Sequence, residues 1–212
     1  MLDLILPLEC GGCGAPSTRW CDACAHDLRV RQGQPHLITP RVHSGVPVFS
    51  LGRYAGPRRN AIVAVKEHGR ADLIRPLGAA LSAGLAQLLA WGVLGAPITV
   101  VPAPTRGLAA RRRGGDPVTR MALAATTEQP DAGVVQALRM KAVVRDSVGL
   151  SSAARQRNVA GRVRLRVPRE GFAGDVLVVD DIVTTGATAA ESVRVLQTSG
   201  IPVAAVLALA HA

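Results

Sequence analysis

"VLVVDDIVTTGAT", residues 176–188, decides the fold class of this chain. Val176 to Val179 form an apolar run with no polar alternate, the pattern of a strand covered on both faces inside a parallel sheet. Asp180 and Asp181 follow at its carboxyl end, where open α/β sheets bind their ligands. Thr184, Thr185, Gly186, Ala187 and Thr188 then make a turn into an expected helix over 187–199. Hydroxyls, backbone N–H groups and a helix N-terminus together favour a phosphate, and Gly186 permits close backbone approach. Carboxylates repel a phosphate, so the two acids suit hydroxyls on the same ligand, and ribose hydroxyls fit that geometry. A Walker-type nucleotide site would need GxxxxGK[ST], and a dinucleotide fold would need GxGxxG after a strand; the sequence contains neither.

Outward from this stretch, short β-branched runs alternate with longer helical ones, which predicts an α/β fold with a central parallel sheet flanked by helices. Strands are expected at 46–51, 98–104, 134–140, 163–167, 176–180 and 203–210. Helices are expected at about 58–68, 72–91, 117–127, 150–160 and 187–199. Residues 73–92 are apolar enough in length to suggest a membrane span, but they contain Arg75, Pro76, Gln87 and three glycines. Leu77, Leu81, Leu85 and Leu88 recur at helical spacing, which fits a helix covering a sheet, so no membrane insertion is expected. The opening "MLDLILPLEC" has no basic region and no small-residue cleavage site, and a cytoplasmic location follows as the expectation.

The four cysteines of the chain form two CxxC pairs, Cys10 with Cys13 and Cys21 with Cys24, seven residues apart. Two such pairs complete a four-thiolate tetrahedral site, and four sulfurs leave no open coordination position, so structural Zn2+ is expected rather than catalytic metal. The segment 1–35 is read as a zinc knuckle, the stretch "RQGQPHLITPRVHSG" (31–45) as a connector, and 46–212 as the main domain.

A formal charge of +10, from 25 Lys and Arg against 15 Asp and Glu, attracts polyanions. The basic residues concentrate between Arg155 and Arg169, where six arginines stand without an acid. In a strand, Arg162, Arg164 and Arg166 share one face. Such a stripe either protects an edge strand from aggregation or tracks the phosphates of single-stranded nucleic acid. Only five aromatic residues are present, which makes a base-stacking platform sparse.

Residues 176–188 resemble the signature of the type I phosphoribosyltransferases, which bind phosphoribosyl pyrophosphate (PRPP). With the four-cysteine segment, "YAGPRRNAIVAVKEHG", "VPAP" and "LSSAARQRNVAG", the chain resembles the ComF family of competence proteins over nearly its whole length. The resemblance implies a type I phosphoribosyltransferase fold in which Asp180 and Asp181 bind the ribose 2- and 3-hydroxyls and Thr184 to Thr188 cradle the 5-phosphate. It places Val101, Pro102, Ala103, Pro104 and Thr105 at the pyrophosphate loop, and Arg111, Arg112 and Arg113 in a loop that closes over the ligand. Tyr54 and Lys66 fall before the core, and Arg155, Arg157 and Asn158 match a motif to which no role is attached. The implied ligands are PRPP or ribose 5-phosphate with Mg2+, and the implied setting is DNA uptake, with single-stranded DNA and a competence helicase or other DNA-processing proteins as partners. Where relatives show Arg-Gly-Phe-Asn-Gln, this chain has Arg113, Gly114, Gly115, Asp116 and Pro117.

Overall fold

The computed structural model of the protein describes residues 8–105, 116–141, 161–166 and 171–212. A six-stranded sheet forms its centre, in the order β1–β2–β8–β7–β3–β4, where β1 is His36–Ile38, β2 Val48–Ser50, β3 Ile98–Pro102, β4 Ala132–Val134, β7 Asp175–Val183 and β8 Val203–His211. Every pairing is parallel except that of β1 with β2. A separate antiparallel ribbon pairs β5 (Leu138–Met140) with β6 (Val163–Leu165).

Strand alternation divides the interior into two layers. Leu177, Val179, Leu207 and Leu209 point to one side, where they meet α2 (Gly56–His68), α3 (Ile74–Ala90) and α4 (Pro117–Thr126). Val176, Val178, Val206 and Ala208 point to the other, against α5 (Ala187–Thr198) and the buried side of the ribbon, Leu138 and Val163. The mostly parallel sheet flanked by helices is thus the architecture expected from the apolar runs, and α3 shows why its composition resembles a membrane span. Its residues Leu77, Leu81, Leu85 and Leu88, together with Leu73 before it, are at most 2% exposed, so the apolar stripe is spent on the sheet and on α4. With its leading turn this is a 20-residue apolar helix, half of it buried within the fold.

Helix ends follow local chemistry. Asp116 caps α4, with Oδ1 accepting the Val118 N–H at 3.3 Å and Oδ2 the Thr119 hydroxyl at 2.9 Å, and Pro117 takes the first helical position. The Asp116–Pro117 pair therefore has a structural role. Gly69 ends α2 in the left-handed conformation at φ 66°.

Beyond shifts of one or two residues at strand ends, three elements differ from expectation. The single strand expected at 134–140 is two: the chain leaves the main sheet after Val134, turns tightly where the Ala137 N–H bonds the Val135 carbonyl at 2.8 Å, and resumes as β5 in the ribbon. A short β-prone stretch such as VVQALRM cannot reveal that its two ends serve different sheets. The connector at 31–45 supplies β1, since its backbone pairs with β2 despite polar composition. The central strand, expected to end at Asp180, continues to Val183 because Ile182 and Val183 pair with Ala210 and His211 of β8. The helix expected at 150–160 lies outside the described residues.

Candidate functional site at the carboxyl ends of β3 and β7

β3 and β7 are adjacent and parallel, but the chain leaves them in opposite directions. From β3 it passes through α4 to β4 on one flank; from β7 it passes through α5 to β8 on the other. The helices lie on opposite faces, so a crevice opens between the carboxyl ends of the two strands, the topological switch point where such sheets bind ligands. Asp180, Asp181, the 184–188 turn and Val101 to Thr105 all converge there. Register puts Pro102 beside Val179, and the Ala103 N–H donates to the Val179 carbonyl at 2.8 Å, so the proline-rich segment runs directly past the acids. Val101 to Pro104 are buried, and the Thr105 hydroxyl donates to Asp116 Oδ1 at 2.8 Å, tying that segment to the start of α4.

The acid pair is nearly closed off from solvent, with Asp180 8% and Asp181 4% exposed. The Asp181 N–H donates to Asp180 Oδ1 at 2.8 Å. Burial pushes Asp180 well above the usual carboxylate range and the neighbouring Asp181 charge adds to it, against the pull of that N–H and of Lys66. Lys66 Nζ stands 2.9 Å from Asp181 Oδ2, an ion pair whose angles fall short of an aligned hydrogen bond. Burial works to lower the Lys66 pKa, but Asp181, then Asp180 and Tyr54, outweigh it and the net shift is upward.

The family resemblance places Lys66 only as lying before the core. A physical signal is nonetheless present: with Ala61, Ile62 and Val65 buried on α2, position 66 is one turn beyond Ile62 on the inward-facing stripe. A charged residue there needs a partner, and β7 provides it.

The turn after β7 is held by the connector. The Val42 N–H donates to the Thr185 carbonyl at 2.9 Å, and Gly186 adopts φ 83° as the residue preceding α5. A Cβ at Gly186 would lie 2.5 Å from Pro40 Cβ and 2.8 Å from the Val42 carbonyl oxygen. The glycine is thus required by its own backbone and by Pro40, and the second of these reasons is invisible in the sequence. Thr184 is exposed at the rim, while Thr185, Ala187 and Thr188 are half-buried, and at the start of α5 the Ala187 N–H donates to the Thr185 hydroxyl at 3.4 Å.

Beside β3 a cleft of about 960 Å³ is lined by Pro102, Pro104 and Thr105 on one wall and by the ribbon on the other. Arg139 lies directly opposite Arg164 across the ribbon, and the Lys141 N–H bonds the Arg162 carbonyl at 2.8 Å. Arg166 continues the row, its N–H donating to the Ala137 carbonyl. The stripe of Arg162, Arg164 and Arg166 is therefore faced by Arg139 and Lys141, which sequence reading missed because sheet pairing brings them across from a distant strand. Arg111, Arg112, Arg113, Arg155, Arg157 and Asn158 lie outside the described residues.

Cys10, Cys13, Cys21 and Cys24 gather with all four sulfurs within 4.8 Å of one another. The Sγ atoms of Cys10 and Cys21 are 3.6 Å apart and those of Cys13 and Cys21 3.5 Å, close to the ~3.8 Å edge of a tetrahedron with Zn–S bonds of about 2.3 Å. The N–H groups of Gly12 and Cys21 both point at Cys10 Sγ at 3.4 Å. Burial works to raise the Cys10 thiol, but the surrounding backbone of Cys13, Cys21 and Gly12 brings it down to about 6, whereas burial and the neighbouring sulfurs push Cys24 upward. So compact a group of sulfurs is compatible with structural zinc, the charge of which stabilises four thiolates at once.

No oxygen cage for Mg2+ is built from the described residues alone: Asp116 is spent on the α4 cap and on Thr105, and Asp181 is paired with Lys66. The donor set fits an ion carried mainly by a ligand's own phosphates. No family model matches this sequence, and no curated protein matches it.

Proposed function

We propose that this protein is a ComF-like, phosphoribosyltransferase-fold protein that binds PRPP or ribose 5-phosphate at the switch point between β3 and β7. The observation that carries the reading is the succession on one strand and its turn: two buried acids at 180 and 181, then a threonine-rich, glycine-bearing turn into α5. The ribose hydroxyls donate to the carboxylates, and the 5-phosphate takes the hydroxyls of Thr184, Thr185 and Thr188 and the α5 N-terminus. The segment Val101 to Thr105 borders the pyrophosphate, and Mg2+ bound to that group supplies charge neutralisation. Structural Zn2+ on the four cysteines orders the N-terminal segment.

The basic ribbon supports a role with single-stranded DNA in uptake or processing. Like charges directly across a strand pair are unfavourable, so Arg139 facing Arg164 suits a polyanionic partner. A second reading is a phosphoribosyltransferase of nucleotide metabolism with a nitrogen acceptor, and the 960 Å³ cleft beside the pyrophosphate segment favours it by leaving room for one.

Calorimetry with PRPP and Mg2+ tests the shared core of both readings. Saturable binding is expected, and Asp180→Ala with Asp181→Ala together should abolish it; unchanged affinity in the double variant would sink the assignment. Pyrophosphate release in the presence of bases or single-stranded DNA then separates transferase from binding module.

A further inference from the structure

We infer that Lys66 is the built-in counter-cation of the Asp180 and Asp181 pair, a positioning residue that allows ribose 5-phosphate to bind without a divalent ion. The inference rests on the pentose phosphate reading above. Lys66 reaches the pair from α2 while the acids come from β7, so the contact joins two elements packed against each other across one face of the sheet. Its Nζ lies 2.9 Å from Asp181 Oδ2, with the lysine side chain 36% exposed and the aspartate side chain 5% exposed. A partly exposed ammonium therefore meets a carboxylate that is itself nearly enclosed by protein.

Two neighbouring buried acids are costly to ionise unless a cation compensates them. At many acid-pair sites a divalent ion supplies that charge. Mg2+, however, demands near-octahedral oxygen ligands at about 2.0–2.1 Å and gives up water reluctantly. Here the buried Oδ2 of Asp181 already faces an ammonium, which leaves Mg2+ a weakened electrostatic pull and a blocked ligand atom. A sugar hydroxyl makes no such demand: it is neutral, and it donates to a carboxylate that Lys66 holds in place at 2.9 Å. The long lysine stem can swing aside as the hydroxyl enters and remain close enough to balance the charge. Pyrophosphate changes the balance, because its own negative charge must be neutralised on binding. The same site should thus take ribose 5-phosphate without metal and PRPP with it.

The test is calorimetric titration of the full chain with ribose 5-phosphate, once in EDTA and once in millimolar Mg2+. The wild-type protein should bind with indistinguishable affinity in both. Lys66→Met should lose at least about tenfold in EDTA, as expected when a buried charge loses its partner, and should recover with Mg2+. Lys66→Arg, which keeps a cation at the position, should retain metal-independent binding and serves as the comparison if the methionine variant folds poorly. Mn2+ titration followed by electron paramagnetic resonance gives a reading without the sugar: Lys66→Met should gain a site that wild type lacks, and adding Asp181→Asn should remove it. A wild-type protein that needs Mg2+ for ribose 5-phosphate, or a methionine variant that binds it equally well in EDTA, overturns the inference. If neither protein binds the sugar phosphate under any condition, the pentose phosphate reading fails by itself. The Mn2+ titration still decides the role of Lys66, and equal Mn2+ binding by wild type and variant refutes it.

Discussion

Asp180 bears a cost that its neighbours only partly offset. Burial and the Asp181 charge raise its pKa above the ordinary 3.8, so over a window beginning there the native protein holds a proton that the unfolded chain has released. Unfolding free energy must then fall as pH rises through that window. Asp180→Asn cannot ionise and should remove this decline, so the stability advantage of the variant over wild type should widen from acid toward neutral pH. Urea unfolding across a pH series measures it; a difference that stays constant with pH would contradict the assignment. Such a destabilising residue at the carboxyl end of a central strand is what a ligand site looks like before its ligand arrives. The sequence showed the two acids and their position, but the burial behind the shift and the Lys66 contact required α2 to be laid against β7.

At the scale of elements, the strand, turn and helix of 175–198 were almost wholly legible. Val176 to Val179 announce a buried strand, and the turn residues announce the break before α5. The extension to Val183 was not legible, because Ile182 and Val183 join the sheet only through pairing with β8. The ribbon was less legible still: Arg139 and Arg164 are 25 positions apart in sequence, and nothing local predicts that they face each other. If this face tracks phosphates, then neutralising Arg139 and Arg164 together should weaken single-stranded DNA binding similarly for all sequences. The slope of log affinity against log salt should also become shallower by about 0.7 for each phosphate that the variant leaves without a cation. Filter binding or fluorescence anisotropy over a salt series reads this directly, and an unchanged slope would assign the arginines to edge protection instead.

For the whole molecule, the four-cysteine segment is joined to the rest by packing as well as by sequence. Leu28 of α1 (Asp22–Leu28) belongs to the same apolar cluster as Ile62, Leu77 and Leu81, with Trp20 and Val30 packed against it. Asn60 Nδ2 donates to the Gly12 carbonyl at 2.7 Å, and the Arg70 guanidinium reaches the Glu9 and Arg19 carbonyls while pairing with Asp72 at 2.7 Å. A Cβ on Gly11 would collide with Leu73, which shows how closely the knuckle seats on the turn before α3. If the four cysteines hold zinc, its removal should consequently do more than loosen residues 8–30. A strong chelator, or Cys24→Ser, should lower the main thermal transition by several degrees and raise hydrogen exchange in α2 and α3 as well as in the knuckle. Exchange confined to the knuckle, with an unchanged main transition, would show that the shared core does not need the metal.

What the sequence determined by itself is what local chemistry controls. The spacing of the cysteines set the sulfur cluster, unbroken apolar runs set the parallel sheet, and helical leucine spacing set α3 as a covering helix. The succession of acids, threonines and glycine set the candidate ligand end of β7. Tertiary structure decided everything that depends on which distant segments meet. It placed Lys66 on Asp181, Pro40 against Gly186, Arg139 opposite Arg164 and the cysteine segment on α2 and α3. The physical reason is one of range: backbone preference and hydrophobic period act over a few residues, whereas the pairing of charges and the crowding around a glycine exist only after the chain has packed.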